Sequence, residues 1–486
     1  MSAAVSSDYR AVIGLETHVQ LQTESKMFCG CGADYAGDEP NTHVCEVCLG
    51  MPGVLPVINR KAVDLTILTG LALNCRIPEN AKFDRKNYAY PDLMKWYQIS
   101  QYDLPLCEAG HLDVVTSGRK DRIGVTRVHL EEDTAKLSHV TGSDGSPASL
   151  IDVNRSGSCL MEIVSEPDIT SSAQAMAYGA KIRDLLRWIG VSTANMQDGE
   201  LRIDANVSVW RQGEATGDVK VEVKNMNSFR ALGRALDFEI DRQSRAREAG
   251  QAIVQETRGW DEDSGLTVPQ RTKEYAHDYR YFPEPDLPPL LISEARVSGL
   301  RLRLPRMPDQ VAADLVAEGC PAGDVEELVQ DRVLTEFALS VVGEGVMAKD
   351  AVTWIVHELR RVLNDRDVPS GQIPLQATEV ASLLVMRGDG VVSSTMASEV
   401  LDEMIATGAS AAELVASRGP QISGEEELLA VARDVIGENP QAVEDYRAGK
   451  ARAVQFLMGQ VMRVTKGKAN PGVVSELIRR QLDGVE

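Results

Sequence analysis

A chain of 486 residues with 43% hydrophobic and 25% charged side chains has ordinary globular composition, which excludes intrinsic disorder. At roughly 100 to 200 residues per domain, its length predicts about three domains and excludes a small binding module. With 51 Lys and Arg against 72 Asp and Glu, the formal charge of −21 excludes broad attraction to phosphate backbones, so any nucleic acid must be held locally.

Met1–Arg10 lacks the regions of a signal peptide and no run of 18 apolar residues occurs, which predicts a cytoplasmic protein without membrane spans. From Tyr9 to about Leu290, short alternating stretches and turn-rich segments such as Thr141–Pro147 predict mixed β structure with a few helices. In Gly14-Leu-Glu-Thr-His-Val-Gln-Leu21 the two-residue period places Glu16, His18 and Gln20 on one face and Leu15, Thr17, Val19 and Leu21 on the other.

Four of the eight cysteines follow, as Cys29-Gly-Cys31 and Cys45-Glu-Val-Cys48. Two tight pairs joined by a turn-rich loop let four thiolates converge tetrahedrally on a structural zinc; free buried thiols, or His43 in place of one cysteine, are the alternatives. Next, Lys82–Asp92 is basic and aromatic. Arg85 and Lys86 are candidates to neutralise phosphate charge and Tyr88 or Tyr90 to stack on a base, although such a stretch is more often a surface loop.

Three further strands repeat the pattern of the first. Val125–Asp133 groups Arg127, His129 and Glu131, with Glu132 and Asp133 at its end. Leu201–Val209 groups Arg202, Asp204, Asn206 and Ser208, and Val219–Asn225 groups Lys220, Glu222 and Lys224. Any one such face is ordinarily the wet side of an antiparallel sheet. Four of them, carrying Glu-x-His and Asp beside Asn, make the oxygen-rich set of a magnesium–phosphate site, and if they converge, Glu16, Glu131, Asp204 and Glu222 suffice for one or two ions. Neither GxxxxGK[ST] nor GxGxxG occurs, so phosphates would rely on metal and Arg/Lys; no Ser-His-Asp, Cys-His or GxSxG pattern for amide hydrolysis is present.

Four prolines in Phe282–Pro289 exclude regular helix or central strand and predict a boundary just after. Beyond Pro308, Val311, Leu315, Val325, Leu328, Val329, Val333, Leu334 and Phe337 have helical spacing, and breaks at Asp367–Pro374 and Ser417–Ser423 divide a mainly α region. From Gly449 to Glu486 seven Lys/Arg face three acids: either a solvated basic helix face or a local phosphate-binding patch.

In this order the motifs resemble those of one family, the B subunits of glutamyl-tRNA(Gln)/aspartyl-tRNA(Asn) amidotransferase. The matching segments are Val12–Leu21, the cysteine knuckle running into Leu49–Pro56, Lys82–Tyr88, Tyr97–Tyr102, His129–Lys136, Glu162–Asp168, Glu222–Phe229 and His277–Leu287, while Met458–Met462 and Thr465–Pro471 resemble the YqeY family. The resemblance implies an α+β protein: a mixed, largely antiparallel β cradle domain at 1–293 with a zinc knuckle at 29–48, an all-α domain at 294–416, and a small α-helical YqeY-like tail at 417–486. It implies a ligase that uses ATP and Mg2+ to phosphorylate the side-chain carboxylate of Glu on tRNA(Gln) or Asp on tRNA(Asn). Ammonia from an amidase-type A subunit would then form the amide, while a small C subunit holds the pair together and the tRNA reaches the basic tail.

On that resemblance, Glu16, His18, Glu131 and Asp204 are the expected catalytic residues and magnesium ligands. Arg85, Lys86, Tyr88, Glu132, Glu222 and Lys224 are expected around the nucleotide, and Cys29, Cys31, Cys45 and Cys48 around zinc. Met94 and Trp96 stand where the family pattern has a proline and often a smaller residue, Ser158-Cys159 replaces an aliphatic–proline pair, and Gly259–Gly265 is insertion-like. Two rival readings are a non-catalytic RNA-binding adaptor and a stand-alone metal-dependent phosphotransferase.

Overall fold

The structure, a computed structural model, describes residues 9–142, 144–213, 219–272, 279–418, 425–448, 450, 452–465, 469 and 471–483. His277, Asp278, Lys466, Lys468, Glu486 and most of the Ser417–Ser423 break lie outside the described residues. The chain divides into two compact units, Met1–Met307 and Pro308–Glu486.

The strands of the first unit are β1 (Tyr9–Gln20), β2 (Asn80–Ala81), β3 (Asp84–Asn87), β4 (Tyr97–Ser100), β5 (Cys107–Thr116), β6 (Arg119–Glu132), β7 (Lys136–Thr141), β8 (Pro147–Asp152), β9 (Cys159–Ser165), β10 (Leu201–Arg211), β11 (Val221–Met226), β12 (Glu256–Asp261), β13 (Leu266–Thr272), β14 (Phe282–Pro283) and β15 (Leu290–Leu291). Eight of them form one sheet in the order β13-β12-β11-β10-β1-β9-β6-β5. Every pairing in it is antiparallel except β11–β12. A parallel pair needs a long crossover, and the helix Phe229–Glu248 supplies it.

The alternation read from β1 is the one observed: Ala11, Ile13, Leu15, Thr17 and Val19 are buried, while Glu16, His18 and Gln20 are half-buried on the other face. Fully burying Ile13, Leu15 and Val19 stabilises the fold by about 1.5–3 kcal/mol each. Three helices cover the apolar face: α1 (Arg60–Ala72) against β5 and β6, α2 (Ser172–Trp188) against β5 and β1, and α3 (Phe229–Glu248) against β10, β11 and β13. Each begins on a side-chain cap, Asn59, Ser171 or Ser228, which accepts from the first free amides of its helix. Gly70 lets α1 approach β5 closely, since a Cβ there would lie 2.4 Å from Cys107 Sγ.

With that face closed by helices, the polar face is left for chemistry. Over one end of it lies a small sheet, β14-β3-β4. The proline-rich segment supplies β14, a two-residue edge pairing with β3, as missing amide donors require, and leads directly into β15, which pairs with β2. The insertion-like Gly259–Gly265 spans the end of β12 and its turn into β13, and Ser158 leads into β9, its carbonyl accepting from Asp133 N.

Trp96 departs from ordinary backbone preference: its φ is +61°, yet the side chain is 71% exposed. A bulky residue there is strained, and glycine is the residue that relieves it. Trp96→Gly is therefore expected to raise stability by about 1 kcal/mol in denaturant unfolding; a fall in stability would show that the indole packs in solution.

The second unit is helical, from Pro308–Ala317 to Pro471–Asp483. Val311, Leu315, Val325, Leu328 and Leu334 are buried as their spacing predicts, whereas Val333 is exposed. Its last helices enclose a core of their own, with Leu428, Val435, Leu457, Val461, Leu477 and Ile478 among its members. The architecture is α+β, and no helix among the described residues is long and apolar enough to cross a membrane.

Candidate active site and cysteine knuckle

The strand registers line the polar residues in rows. Glu16 stands opposite Asp204 of β10 on one side and Val164 of β9 on the other, and beyond Val164 comes Arg127 of β6. One step along, His18 stands opposite Arg202 and Glu162, with His129 beyond Glu162. Glu222 of β11 pairs with Asn206 of β10. The four faces therefore converge on one surface, with Glu162 added by a fifth strand. Bulges in β6–β9, between Val125 and Arg127, and in β10–β11, between Ile203 and Ala205, re-aim side chains beside it. Like charges directly opposite, as Glu16 and Asp204 are, destabilise a sheet, so the surface calls for cations.

At one end, His18 Nε2 lies 3.5 Å from Glu162 Oε2, and His129 Nε2 lies 3.4 Å from the same oxygen and 3.6 Å from Glu131 Oε1. Ser100 Oγ and Gln98 Nε2 donate to Glu131 at 2.7 and 3.1 Å, and Lys86 Nζ stands 3.7 Å from it. Burial works against charge on both histidines, but Glu162 and its neighbours prevail and hold them above the usual imidazole range. Burial likewise opposes ionisation of the acids; Lys86 and His129 nevertheless hold Glu131 low, and His129 and His18 do so for Glu162. Donor atoms of His18, Glu131 and Glu162 all lie within 4.8 Å of one another. Ligands of one magnesium at about 2.1 Å lie at most roughly 4.2 Å apart, so this donor set fits a divalent ion after a small closure.

At the other end, Asn206 Nδ2 donates to Glu16 Oε1 at 2.8 Å, and Thr257 Oγ1 donates to Glu222 Oε2 at 2.7 Å. Lys224 Nζ reaches Asp204 Oδ2 at 2.7 Å and Glu222 Oε1 at 3.6 Å. Burial disfavours the ammonium, yet Asp204 and Glu222 outweigh it and raise its pKa. A cleft of about 330 Å3 opens beside Glu16, walled by Val12, Val164, Pro167, Asn206 and Trp210.

Not every expected residue joins this surface. Arg85 forms a two-pronged pair with Glu284, at 2.7 and 2.8 Å, reaches Asp286 at 3.2 Å, and stacks over Tyr97. Glu132 accepts from Lys95 and from Ile99 N, and shares a small cavity with Cys29 and Cys48. Tyr88 sits edge-on to Tyr279, and its hydroxyl reaches Gln98 at 3.3 Å. Glu162 is the reverse case: it belongs to the site, though alternation does not select it, and only its place in the matched segment Glu162–Asp168 pointed to it.

Beside the site, buried Asp133 accepts from Arg202 at 3.0 and 3.1 Å and from Gln20 at 2.9 Å. Burial would raise its pKa, but Arg202 and Arg155 hold it at about 2. A carboxylate depressed from roughly 3.9 stabilises the fold above that pH and loses the contribution as pH falls towards 2. Asp133→Asn should therefore cost about 2 kcal/mol at pH 7 and progressively less below pH ~4. Urea unfolding at both pH values checks this; an equal deficit at each would refute it.

The four cysteine Sγ atoms also lie within 4.8 Å of one another, with Cys45 and Cys48 3.9 Å apart. Tetrahedral zinc at about 2.3 Å from each sulfur gives S···S near 3.8 Å, so the donors fit. Hydrogen bonding from Cys29 lowers the Cys48 thiol, and the same bond, with burial, raises Cys29. His43 stands outside the cluster, its Nε2 2.6 Å from Asp38 Oδ2.

Comparison with known proteins gives the class first. The family described as GatB/GatE catalytic domain matches residues 11–298, and that described as GatB domain matches residues 336–482. The chain belongs to the family of aspartyl/glutamyl-tRNA(Asn/Gln) amidotransferase B subunits. It is 50% identical over 477 residues to the family member of Moorella thermoacetica, covering 98% of this chain and 100% of that protein. It is 48% identical to those of Dehalococcoides mccartyi strain CBDB1 and Thermomicrobium roseum, each over 98% of this chain and 99% of the relative. The resemblance read from the motifs thus holds.

Proposed function

We propose that this chain is the ATP-using, amide-forming subunit of a glutamine-dependent aminoacyl-tRNA amidotransferase, acting on Glu-tRNA(Gln), Asp-tRNA(Asn) or both. A side-chain carboxylate oxygen attacks the γ-phosphorus of ATP and the bond to ADP breaks. Ammonia then attacks the acyl carbon, phosphate leaves with the carbonyl-bound oxygen, and loss of a proton yields Gln-tRNA(Gln) or Asn-tRNA(Asn). The observation that carries this reading is the row of carboxylates and histidines across five adjacent strands, because phosphoryl transfer asks mainly for positioning and charge neutralisation.

Bound magnesium would neutralise phosphate charge, held by His18, Glu131 and Glu162, with Glu16 and Asp204 for a second ion. Lys86, Arg127 and Lys224 place cations around the same surface; Ser100 and Gln98 fix Glu131, and Asn206 fixes Glu16. Arg85, Tyr88 and Glu132 serve by shaping the small-sheet wall through their own partners. Zinc in the knuckle is structural, since four cysteines leave no ligand position open.

The partners are an amidase-type A subunit, the source of ammonia, and a small C subunit. The tail, 417–486, receives tRNA after the cradle (1–293) and the helical domain (294–416), and Arg452, Arg463 and Arg479 are exposed on its helices. The setting is cytoplasmic, where aminoacyl-tRNA is made. Co-expression with candidate A and C subunits, then an ATP- and glutamine-dependent assay on Glu-tRNA(Gln), tests the reading. No product would overturn it, full activity of Glu16→Ala would favour the adaptor, and ATP turnover without tRNA or partners would favour the stand-alone phosphotransferase.

A further inference from the structure

Lys26 has no solvent exposure, yet among the described residues it has no carboxylate partner. Its Nζ donates to the carbonyl oxygens of His43 at 2.7 Å and Val153 at 3.5 Å. Carbonyl dipoles stabilise an ammonium but do not cancel its charge, and a buried cation without a counter-charge strongly disfavours the folded state.

The neighbourhood supplies the missing charge from another source. Lys26 N donates to Cys31 O at 3.0 Å, so the residue enters the knuckle through its backbone as well. Gly157, at φ +81°, lies against both partners: a Cβ there would sit 3.4 Å from Cys48 Cβ and 3.7 Å from Lys26 Cδ. The lysine stem and Cys48 therefore share one tightly filled space. Four neutral thiols would offer this ammonium nothing, whereas four thiolates around one divalent ion carry a net charge of −2.

We propose that Lys26 is the internal counter-ion of the zinc–thiolate cluster: a positioning residue that strengthens metal retention, and whose burial the loaded cluster makes tolerable. The inference rests on the zinc reading of the four cysteines. It also gives the knuckle a mechanical link to the site. Through His43 O and Val153 O, Lys26 ties the loop to the segment after β8, where Asn154 Oδ1 accepts from His43 N at 2.8 Å. Gly157 N in turn donates to Asp133 O at 2.8 Å, at the end of the strand that carries Glu131.

The test compares the full-length parent with Lys26→Met and Lys26→Gln; glutamine retains a donor for the carbonyls but no charge. Zinc affinity is read by competition with a chromophoric chelator, and Tm before and after zinc removal. Both variants should bind zinc roughly 10- to 100-fold more weakly, as loss of outer-sphere partners of metal sites does. Zinc removal should lower the parent's Tm more than that of either variant, because only the parent is left with an uncompensated ammonium. Parent-like zinc affinity in Lys26→Gln, or equal Tm losses in all three proteins, would overturn the proposal. If Lys26→Met does not fold, Lys26→Gln decides alone. Metal analysis of the freshly purified parent separates the two readings: less than stoichiometric zinc refutes the zinc assignment itself, whereas a full equivalent with unchanged variant affinity refutes only the role of Lys26.

Discussion

Glu162→Gln is expected to lower ATP-dependent amide formation by the reconstituted complex by roughly 10^3-fold while leaving tRNA affinity unchanged. Glu162 is the acid shared by the two site histidines, at 3.5 Å from His18 and 3.4 Å from His129, on a strand with neighbours on both sides. The amide is isosteric, so packing is kept. What goes is one oxygen donor to the ion and the charge that holds His18 and His129. The loss should appear in kcat and be only partly recovered at higher magnesium. Activity within tenfold of the parent would remove Glu162 from the metal set and leave His18 and Glu131 without a third ligand.

The second large effect belongs to the knuckle. Replacing Cys45 and Cys48 together by serine should abolish zinc binding and cost at least about 3 kcal/mol in stability of the first unit. The reason lies in what the loop lacks. Met51, Leu55 and Val57 are exposed, so little apolar burial holds Cys29–Val57 together. The return of the chain to α1 is tied by hydrogen bonds, Val57 N to Phe28 O, Asn59 N to Met27 O and Asn59 Nδ2 to the Ser25 and Lys26 carbonyls, with little apolar packing behind them. Metal analysis with thermal unfolding measures the effect; a zinc-free variant with parental stability would reduce the cysteines to packing.

How much of this was legible in the sequence differs from strand to strand for a physical reason. On β1, and over Leu201–Ala205 of β10, one face packs on helices and the other stays partly open, so a period of two was visible and placed Glu16, His18 and Asp204 on one surface. On β9 the burial is almost continuous, and Cys-Leu-Met-Glu-Ile-Val reads as an interior strand in which Glu162 looks like an exception. Arg85 and Glu132 are turned to partners of their own that lie far along the chain: Glu284 is 199 residues from Arg85, and Lys95 reaches Glu132 from the turn before β4. Local composition cannot carry such pairings. The exclusion of His43 is of the same kind, settled by Asp38 on one turn of the loop.

Lys224 sets the acidic surface apart from the knuckle as a proposed metal centre. With its ammonium between Asp204 and Glu222, that end of the acidic surface already holds a resident cation and does not depend on an ion from solution to keep its carboxylates at close quarters. The knuckle has no such substitute: of the cations beside it, Lys95 is already paired with Glu132, and buried Lys26 adds to the difficulty when zinc leaves. Chelation should therefore be reversible at the cradle, with activity restored by adding magnesium back, and damaging at the knuckle. The protein can be idled at one centre and dismantled at the other.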